Sequence, residues 1–166
     1  DVALLIDAEE SWMQDAADDL VAQMMQKYNT EKAIVFNTLQ MYRWDRLDYL
    51  KQLHEKAKQE GFYIGMKIVR GAYMEKENAR AEEKGYPTPI CVSKEATDKN
   101  YDAAILYMLE HIETMAIFAG THNEVSSYTL MNLMQEKGIK TNDERIWFGQ
   151  LYGMSDNIPQ EELLKQ

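Results

Sequence analysis

Lys67 and Arg70 interrupt the apolar first part of GMKIVRGAYMEKE, residues 65–77, which has the composition of a buried strand. A buried cation without a partner costs several kcal/mol, so both side chains need an explanation. Alternation along a strand puts Lys67 and Val69 on one face and Ile68 and Arg70 on the other. If Lys67 faces the interior of a barrel, it needs an anion, and Asp7 could provide one. A structural ion pair together with an arginine that reaches solvent would explain the same pattern.

Other polar side chains follow other apolar runs. Asp7 ends the run VALLID, and Thr121, His122 and Asn123 precede a predicted helix. The free amides and the dipole of a helix N-terminus favour phosphate binding. Ordinary N-capping by aspartate, threonine or asparagine explains these residues equally well, so both alternatives remain open. The three histidines of the chain show no metal-ligand spacing, and no metal site is predicted.

Apolar runs alternate with segments of helical period along the whole chain. Strands are predicted within residues 2–9, 32–40, 62–71, 114–123 and 145–154. Helices are predicted from Glu9 to Tyr28, from about Arg43 to Glu60, over 75–85, from Thr97 or Asp98 onward, and over 124–138. The first helix is expected to bury a stripe that recurs every four residues, consisting of Trp12, Ala16, Leu20, Met24 and Tyr28.

This alternation predicts an α/β fold with a parallel sheet built from βαβ units. A doubly wound sheet concentrates its polar residues near one switch point, whereas here every run ends in a polar cluster: DAE, NTLQ, KIVRGAY, THN and GQLYG. That distribution favours the mouth of a parallel (β/α)8 TIM-type barrel, which typically needs about 250 residues. The chain is therefore expected to cover about five βα units.

Composition limits the classes of protein to consider. The 166 residues are 45% hydrophobic, and 18 Lys and Arg against 28 Asp and Glu give a net charge of −10. Such a surface repels a phosphate backbone, so no nucleic-acid partner is expected. The single Cys91 suits a reducing compartment, and no apolar run approaches the roughly 20 residues of a membrane helix. A cytoplasmic location is predicted, and a peripheral membrane contact stays open.

The order and spacing of IDAEE, NTLQMY, KIVRGAYMEKENARAEEKGYPTPI, ATDKNYDAA, GTHNE and FGQLYGM resemble the proline dehydrogenase family, from Asp7 to about Ile158. VRGAY…GYPTPI is the most specific part. The single-function enzymes are more similar than the bifunctional ones, whose run reads R-x-V-K-G-A-Y. The resemblance implies an FAD-dependent (β/α)8 barrel that oxidises L-proline to 1-pyrroline-5-carboxylate. It further implies hydride transfer from C5 to flavin N5 and a quinone as electron acceptor.

The same resemblance implies roles for individual residues. Asp7, Lys67 and Tyr73 would be catalytic, with Lys67 also near flavin N5, where the reduced ring gains negative charge. Gln40 would bond the pyrimidine side of the ring. The remaining cofactor-binding residues implied are Ala8, Arg70, Gly71, Ala72, Thr97, Thr121, His122, Asn123, Gln150 and Leu151.

Members of the family end their barrel with a helix that carries paired arginines, which clamp the substrate carboxylate. No Arg-Arg pair occurs in this sequence, and the resemblance implies that the first two strands of the barrel lie outside residues 1–166. Residues 1–166 are therefore expected to form a partial catalytic barrel, strands three to seven, that is inactive by itself. Two alternatives are another barrel enzyme, such as a metal-dependent lyase using Asp7, His122 and Lys67, and a non-catalytic fragment that folds by self-association.

Overall fold

The computed structural model describes residues 2–150 as alternating strands and helices. The strands are β1 (Leu4–Leu5), β2 (Val35–Gln40), β3 (Ile64–Val69), β4 (Met115–Gly120) and β5 (Ile146–Gly149). The helices are α1 (Ser11–Tyr28), α2 (Arg46–Glu60), α3 (Met74–Lys84), α4 (Lys94–Glu110) and α5 (Glu124–Glu136). Each predicted strand is present, and the long interval between β3 and β4 contains two helices, as the spacing indicated.

The strands form one parallel sheet in the order β1-β2-β3-β4-β5, so each strand pairs with its neighbour in sequence. One face carries the main core, in which Leu39, Ile64, Met66 and Ile68 pack with apolar residues of α1, α2, α4 and α5. A doubly wound sheet would have helices on both faces and a reversal of strand order. One helical layer on a curled sheet instead corresponds to part of a (β/α)8 barrel, and the predicted fold class is confirmed.

The strand register determines which side chains share the opposite, inner face of the sheet. Thr38 pairs with Lys67, Lys67 with Phe118, and Phe118 with Trp147, giving one row across four strands. Ile68 points the other way and is fully buried in the helix-facing core. Lys67 and Ile68 therefore lie on opposite faces, as strand alternation requires.

The stripe predicted for α1 is wrong. Trp12 is 40% exposed and Leu20 is 59% exposed, whereas the buried face includes Gln14, Asp18 and Met25. The prediction assumed that the most hydrophobic side chains of α1, Trp12 and Leu20, would be buried. Asp18 is buried instead, because Arg46 of α2 forms an ion pair with its carboxylate. With that charge compensated, a polar face can pack inward.

Two helix starts also differ from the prediction. Helix α4 begins at Lys94, because the Ser93 hydroxyl caps it by accepting a bond from the Ala96 amide at 3.1 Å. The predicted starts at Thr97 or Asp98 are therefore too late by one turn. Helix α2 begins at Arg46 rather than near Arg43, whose backbone and side chain belong to the preceding turn.

Candidate active site at the carboxyl ends of the strands

An ion pair between Asp7 and Lys67 lies on the inner face of the sheet. Lys67 Nζ is 2.6 Å from Asp7 Oδ1, with 25% of the lysine side chain and 75% of the aspartate side chain exposed. The end of β1 is held in place by Thr38, whose hydroxyl donates to the Ile6 carbonyl at 2.7 Å. The lysine is thus half-buried beside a carboxylate that remains open to solvent, an arrangement that leaves both groups available to a ligand.

Gln40, at the end of β2, is buried with one atom unsatisfied. Its Nε2 donates to the Glu9 carbonyl at 2.7 Å and to the Tyr42 hydroxyl at 2.8 Å. Burial raises the pKa of Tyr42 to about 12, so that hydroxyl stays neutral. The Gln40 Oε1 atom is buried and has no hydrogen-bond partner among residues 2–150. Because buried acceptors are nearly always paired, Gln40 Oε1 is suited to a donor on a ligand.

Arg70 follows β3 and is bound on all sides by other groups of the chain. Its guanidinium donates to Asp98 at 2.7 Å, Thr121 Oγ1 at 2.9 Å and Ser126 Oγ at 2.5 Å. It also lies 3.7 Å above the ring centre of Tyr101. These bonds join the ends of β3 and β4 to α4 and α5. The Arg70 side chain therefore does not extend into solvent, and its donors are not free to bind a phosphate.

Asp98 is held ionised by two cations. The Lys94 ammonium, which bonds Asp98 at 2.7 Å, is the larger cause of its lowered pKa, and Arg70 is the next largest through its own bond. Within the same helix, Thr97 is buried and its hydroxyl donates to the Ser93 carbonyl at 3.3 Å. The hydroxyl that the family resemblance assigns to the cofactor is therefore engaged inside α4.

The Thr121-His122-Asn123 turn caps α5. Asn123 accepts a bond from the Ser126 amide at 3.2 Å, and Thr121 Oγ1 accepts one from the Asn123 amide at 3.0 Å. His122 is half-buried between them. The capping alternative is thus observed, and it brings this turn next to Arg70 at the same edge of the sheet.

The segment after Arg70 approaches the loop that follows β1. Gly71 adopts φ +42°, a region that favours glycine, and Ala72 is exposed. The Tyr73 hydroxyl donates to Glu9 Oε2 at 3.3 Å, and the negative charge of Glu9 is the largest cause of the raised pKa of Tyr73. Half-buried Ala8 lies in the same loop, next to Asp7.

At the far edge, Gln150 is exposed directly after β5. Leu151 lies outside the residues that the structure describes, so its predicted contact has no structural account. In the part of the chain that is described, no group of three or more His, Cys, Asp or Glu could hold a metal ion. None of the helices in that part has the length and apolarity to cross a membrane.

Two acidic residues beside this site were not predicted from the sequence. Glu9 connects Gln40 to Tyr73. Glu77 in α3 is 1% exposed and accepts bonds from the Ser11 amide at 2.5 Å and the Ser11 hydroxyl at 2.7 Å. Both belong to acidic stretches that resemble solvated helix surfaces, and their partners lie in distant segments that the local sequence pattern does not identify.

Comparison with known proteins identifies the family. The family model described as "Proline dehydrogenase" matches residues 1–165. The chain belongs to the proline dehydrogenase family. It is 40% identical over 160 residues to "Proline dehydrogenase 1, mitochondrial" of Homo sapiens, covering 95% of this chain and 27% of the human protein. It is 39% identical over 168 residues to the Drosophila melanogaster protein of the same name, covering 95% and 25%.

Solved structures of the family agree with the fold. The crystal structure of proline utilization A (PutA) from Bdellovibrio bacteriovorus, inactivated by N-propargylglycine, superposes with a TM-score of 0.84 at 26% identity. The match covers 92% of this chain and 16% of that one. The chain thus spans about a quarter of the length of the two relatives described above.

The predicted cytoplasmic location is wrong on this comparison. Relatives from human, fly, Caenorhabditis elegans and Bos taurus are named as mitochondrial proteins. The prediction rested on the single cysteine and on the absence of a long apolar run, which report redox conditions and the lack of a membrane helix in the sequence. Neither property distinguishes one reducing compartment from another.

Proposed function

We propose that the protein containing this chain oxidises L-proline to 1-pyrroline-5-carboxylate, using FAD and passing the electrons to a quinone. Membership of the proline dehydrogenase family supports the reaction class. The observation that carries the proposal is the Asp7–Lys67 pair on the inner face of the sheet, because it holds a cation where a developing anion could be stabilised.

The residues present fit an FAD molecule at the strand ends. The buried Gln40 Oε1 atom lacks a donor in the described part of the chain, and the pyrimidine side of a flavin carries an N–H group that could provide one. Gly71 has only the Met74 sulfur near its missing Cβ, at 3.4 Å, so a ligand can approach this backbone closely. The other residues that would lie against the cofactor are Ala8, Ala72, Thr121, His122, Asn123, Gln150 and Leu151.

When bound, FAD would supply the two-electron acceptor, taking a hydride from C5 of proline at N5. Lys67 would place its ammonium near that position and stabilise negative charge as it accumulates. Asp7 would orient the ammonium through the bond already present at 2.6 Å and would border the substrate. Tyr73, held by Glu9, would close one side of the site and limit the access of water. Arg70 would act by positioning, since its donors are committed to the chain.

We further propose that residues 1–166 alone do not turn over proline. In the described residues, β1 and β5 each pair with one strand only, which leaves two open sheet edges. The sequence contains no consecutive arginines that could clamp a carboxylate through bidentate bonds. If this piece is mixed with FAD and titrated with proline, we expect weak flavin binding and no bleaching of the flavin. Saturable bleaching would show that the clamp is dispensable.

The reaction itself is tested on the full-length protein. We expect purified protein to carry noncovalent flavin, and proline to reduce an artificial dye in its presence. Metal analysis on the same sample tests the alternative of a metal-dependent lyase. A lyase of that kind would contain a stoichiometric metal ion and no flavin. Absence of flavin together with absence of proline-dependent dye reduction would overturn the proposal.

A further inference from the structure

A buried ion pair in the helical layer is connected to the candidate site by hydrogen bonds through Gln14 and the backbone of Glu9. Arg46 in α2 donates to both oxygens of Asp18 in α1, at 2.7 and 3.0 Å. Only 2% of the arginine side chain and 5% of the aspartate side chain are exposed. Asn37 in β2 donates to the same carboxylate at 2.8 Å. An ionised carboxylate surrounded in this way can only accept hydrogen bonds.

Gln14, one turn before Asp18, extends the chain. Its Nε2 donates to Asp18 Oδ1 at 2.8 Å, and its Oε1 accepts a bond from the Glu9 amide at 2.8 Å. Because the carboxylate requires a donor, the NH₂ group of Gln14 must face Asp18. The oxygen must then face Glu9. The ion pair therefore selects one of the two orientations of this fully buried amide.

The Glu9 backbone, which Gln14 holds in place, in turn contacts Gln40. The Glu9 carbonyl accepts a bond from Gln40 Nε2 at 2.7 Å, so the NH₂ group of Gln40 is turned toward Glu9. The Gln40 Oε1 atom is thereby left as the acceptor directed at a ligand. Glu9 also lies two residues after Asp7, so the same anchor restrains the loop that carries the partner of Lys67.

We propose that Gln14, oriented by the Asp18–Arg46 pair, is a positioning residue that presents the Gln40 acceptor to the cofactor. This inference rests on the proposed function, since the cofactor is FAD. A role in stability alone does not account for the arrangement. A buried ion pair is commonly matched or exceeded in stability by apolar residues of similar volume, and an apolar side chain at position 14 would fill the same space.

The test compares two substitutions in α1 of the full-length protein. Gln14→Met keeps the volume and removes both hydrogen bonds, and we expect FAD to bind about tenfold more weakly, the loss typical of one hydrogen bond. We also expect a shift of the flavin absorbance bands or of its reduction potential. Val21→Ala is the matched control, because Val21 lies buried on the same helix and has no polar link to the site. We expect its FAD affinity to stay within about twofold of wild type.

Two further measurements make the result specific. In the double variant with Gln40→Met, the Gln14 substitution should have little additional effect on FAD affinity, since the acceptor is already gone. In cofactor-free protein, amide exchange at Glu9 should accelerate in Gln14→Met and not in Val21→Ala.

The outcomes separate this inference from the proposed function. If wild-type protein binds no FAD, the proposed function fails, while faster exchange at Glu9 would still support the link from Gln14 to the loop. If wild type binds FAD and Gln14→Met behaves like Val21→Ala, the positioning role is overturned. Additive effects of the Gln14 and Gln40 substitutions would likewise contradict it. If Gln14→Met does not fold, Gln14→Ser is measured in its place, because its short side chain cannot bridge Asp18 and the Glu9 amide. FAD affinity in Gln14→Ser equal to that of Val21→Ala would overturn the positioning role.

Discussion

Lys67 Nζ lies 2.6 Å from Asp7 Oδ1, although 60 residues separate them in the chain. The contact crosses β2, because Asp7 follows β1 and Lys67 belongs to β3. The contact does not bury the aspartate, since three quarters of its side chain is exposed. An exposed ion pair of this kind adds at most about 1 kcal/mol to the free energy of unfolding. The main effect of the pair is therefore to hold the Lys67 ammonium at one position on the inner face of the sheet.

Replacing this cation should affect chemistry more than folding. In Lys67→Met we expect proline to reduce the bound flavin roughly 10²-fold more slowly, the cost of removing a preorganised electrostatic contact. The midpoint of thermal unfolding should change little, and stopped-flow flavin bleaching measures the rate. Lys84→Met is the control, since Lys84 forms a surface pair with Glu83 at the end of α3. Equal rates of flavin reduction in Lys67→Met and Lys84→Met would show that the role of Lys67 is structural.

Arg70 should be intolerant of lysine. Its three directed donors and its stacking on Tyr101 depend on the planar guanidinium, which lysine cannot reproduce. We expect Arg70→Lys to lower the free energy of unfolding by about 2–4 kcal/mol in urea titrations. Arg80→Lys serves as the comparison, because Arg80 stacks on the partly exposed Trp12 and should cost less than about 1 kcal/mol. Similar losses in the two variants would contradict the anchoring role of Arg70.

Gly65 on the inner face of β3 should not accept a methyl group. A Cβ there would lie 2.7 Å from both the Phe36 ring and the Val35 carbonyl oxygen. The ring can move, but the carbonyl belongs to the paired strand β2. We expect Gly65→Ala to destabilise the protein by about 2–3 kcal/mol. Gly61→Ala, where φ is +75° and nothing lies within 4 Å, should cost only about 1 kcal/mol from backbone strain. A smaller loss at Gly65 than at Gly61 would show that the sheet adjusts.

A buried histidine at the opposite end of the fold predicts a pH dependence. His54 Nδ1 is 2.8 Å from the Tyr107 hydroxyl, and its ring centre is 4.5 Å from that of His111. Burial, and next the charge of His111, lower the pKa of His54 below its usual 6.5. Below that value the unfolded chain binds the proton more readily than the folded one. The contribution of His54 to the free energy of unfolding is therefore fully present above pH 6.5. It is lost as the pH falls toward the pKa of His54 in the folded protein.

The measurement is the urea midpoint between about pH 7.5 and pH 5.5, a window in which carboxylates contribute little. His54→Gln should be less stable at the upper limit but should show a flatter profile. An unchanged slope in this variant would assign the pH dependence to another group, with His111 as the next to substitute.

The pattern of the sequence was sufficient for the fold class. Apolar runs such as VALLID and KAIVFNTLQ are short, alternate with segments of helical period and end in polar clusters, and these are local properties of the chain. Helix ends at Gly61 and Gly85 were also predictable, because both glycines adopt a positive φ that other residues reach at a cost. The strand face of Lys67 followed from simple alternation.

The partners of the polar residues were decided by the tertiary structure. Burial of Asp18 in place of Leu20 depends on Arg46 of another helix, and periodicity within one helix carries no information about that partner. The sequence likewise predicted a ligand-binding role for Arg70. In the folded chain its donors are bound by Asp98, Thr121 and Ser126, which come from separate segments. Local sequence determines which segments form helices and strands because backbone hydrogen bonds and side-chain alternation act over a few residues. Charge compensation acts through space between distant segments, so only the folded chain decides which charges are buried and which remain available for chemistry.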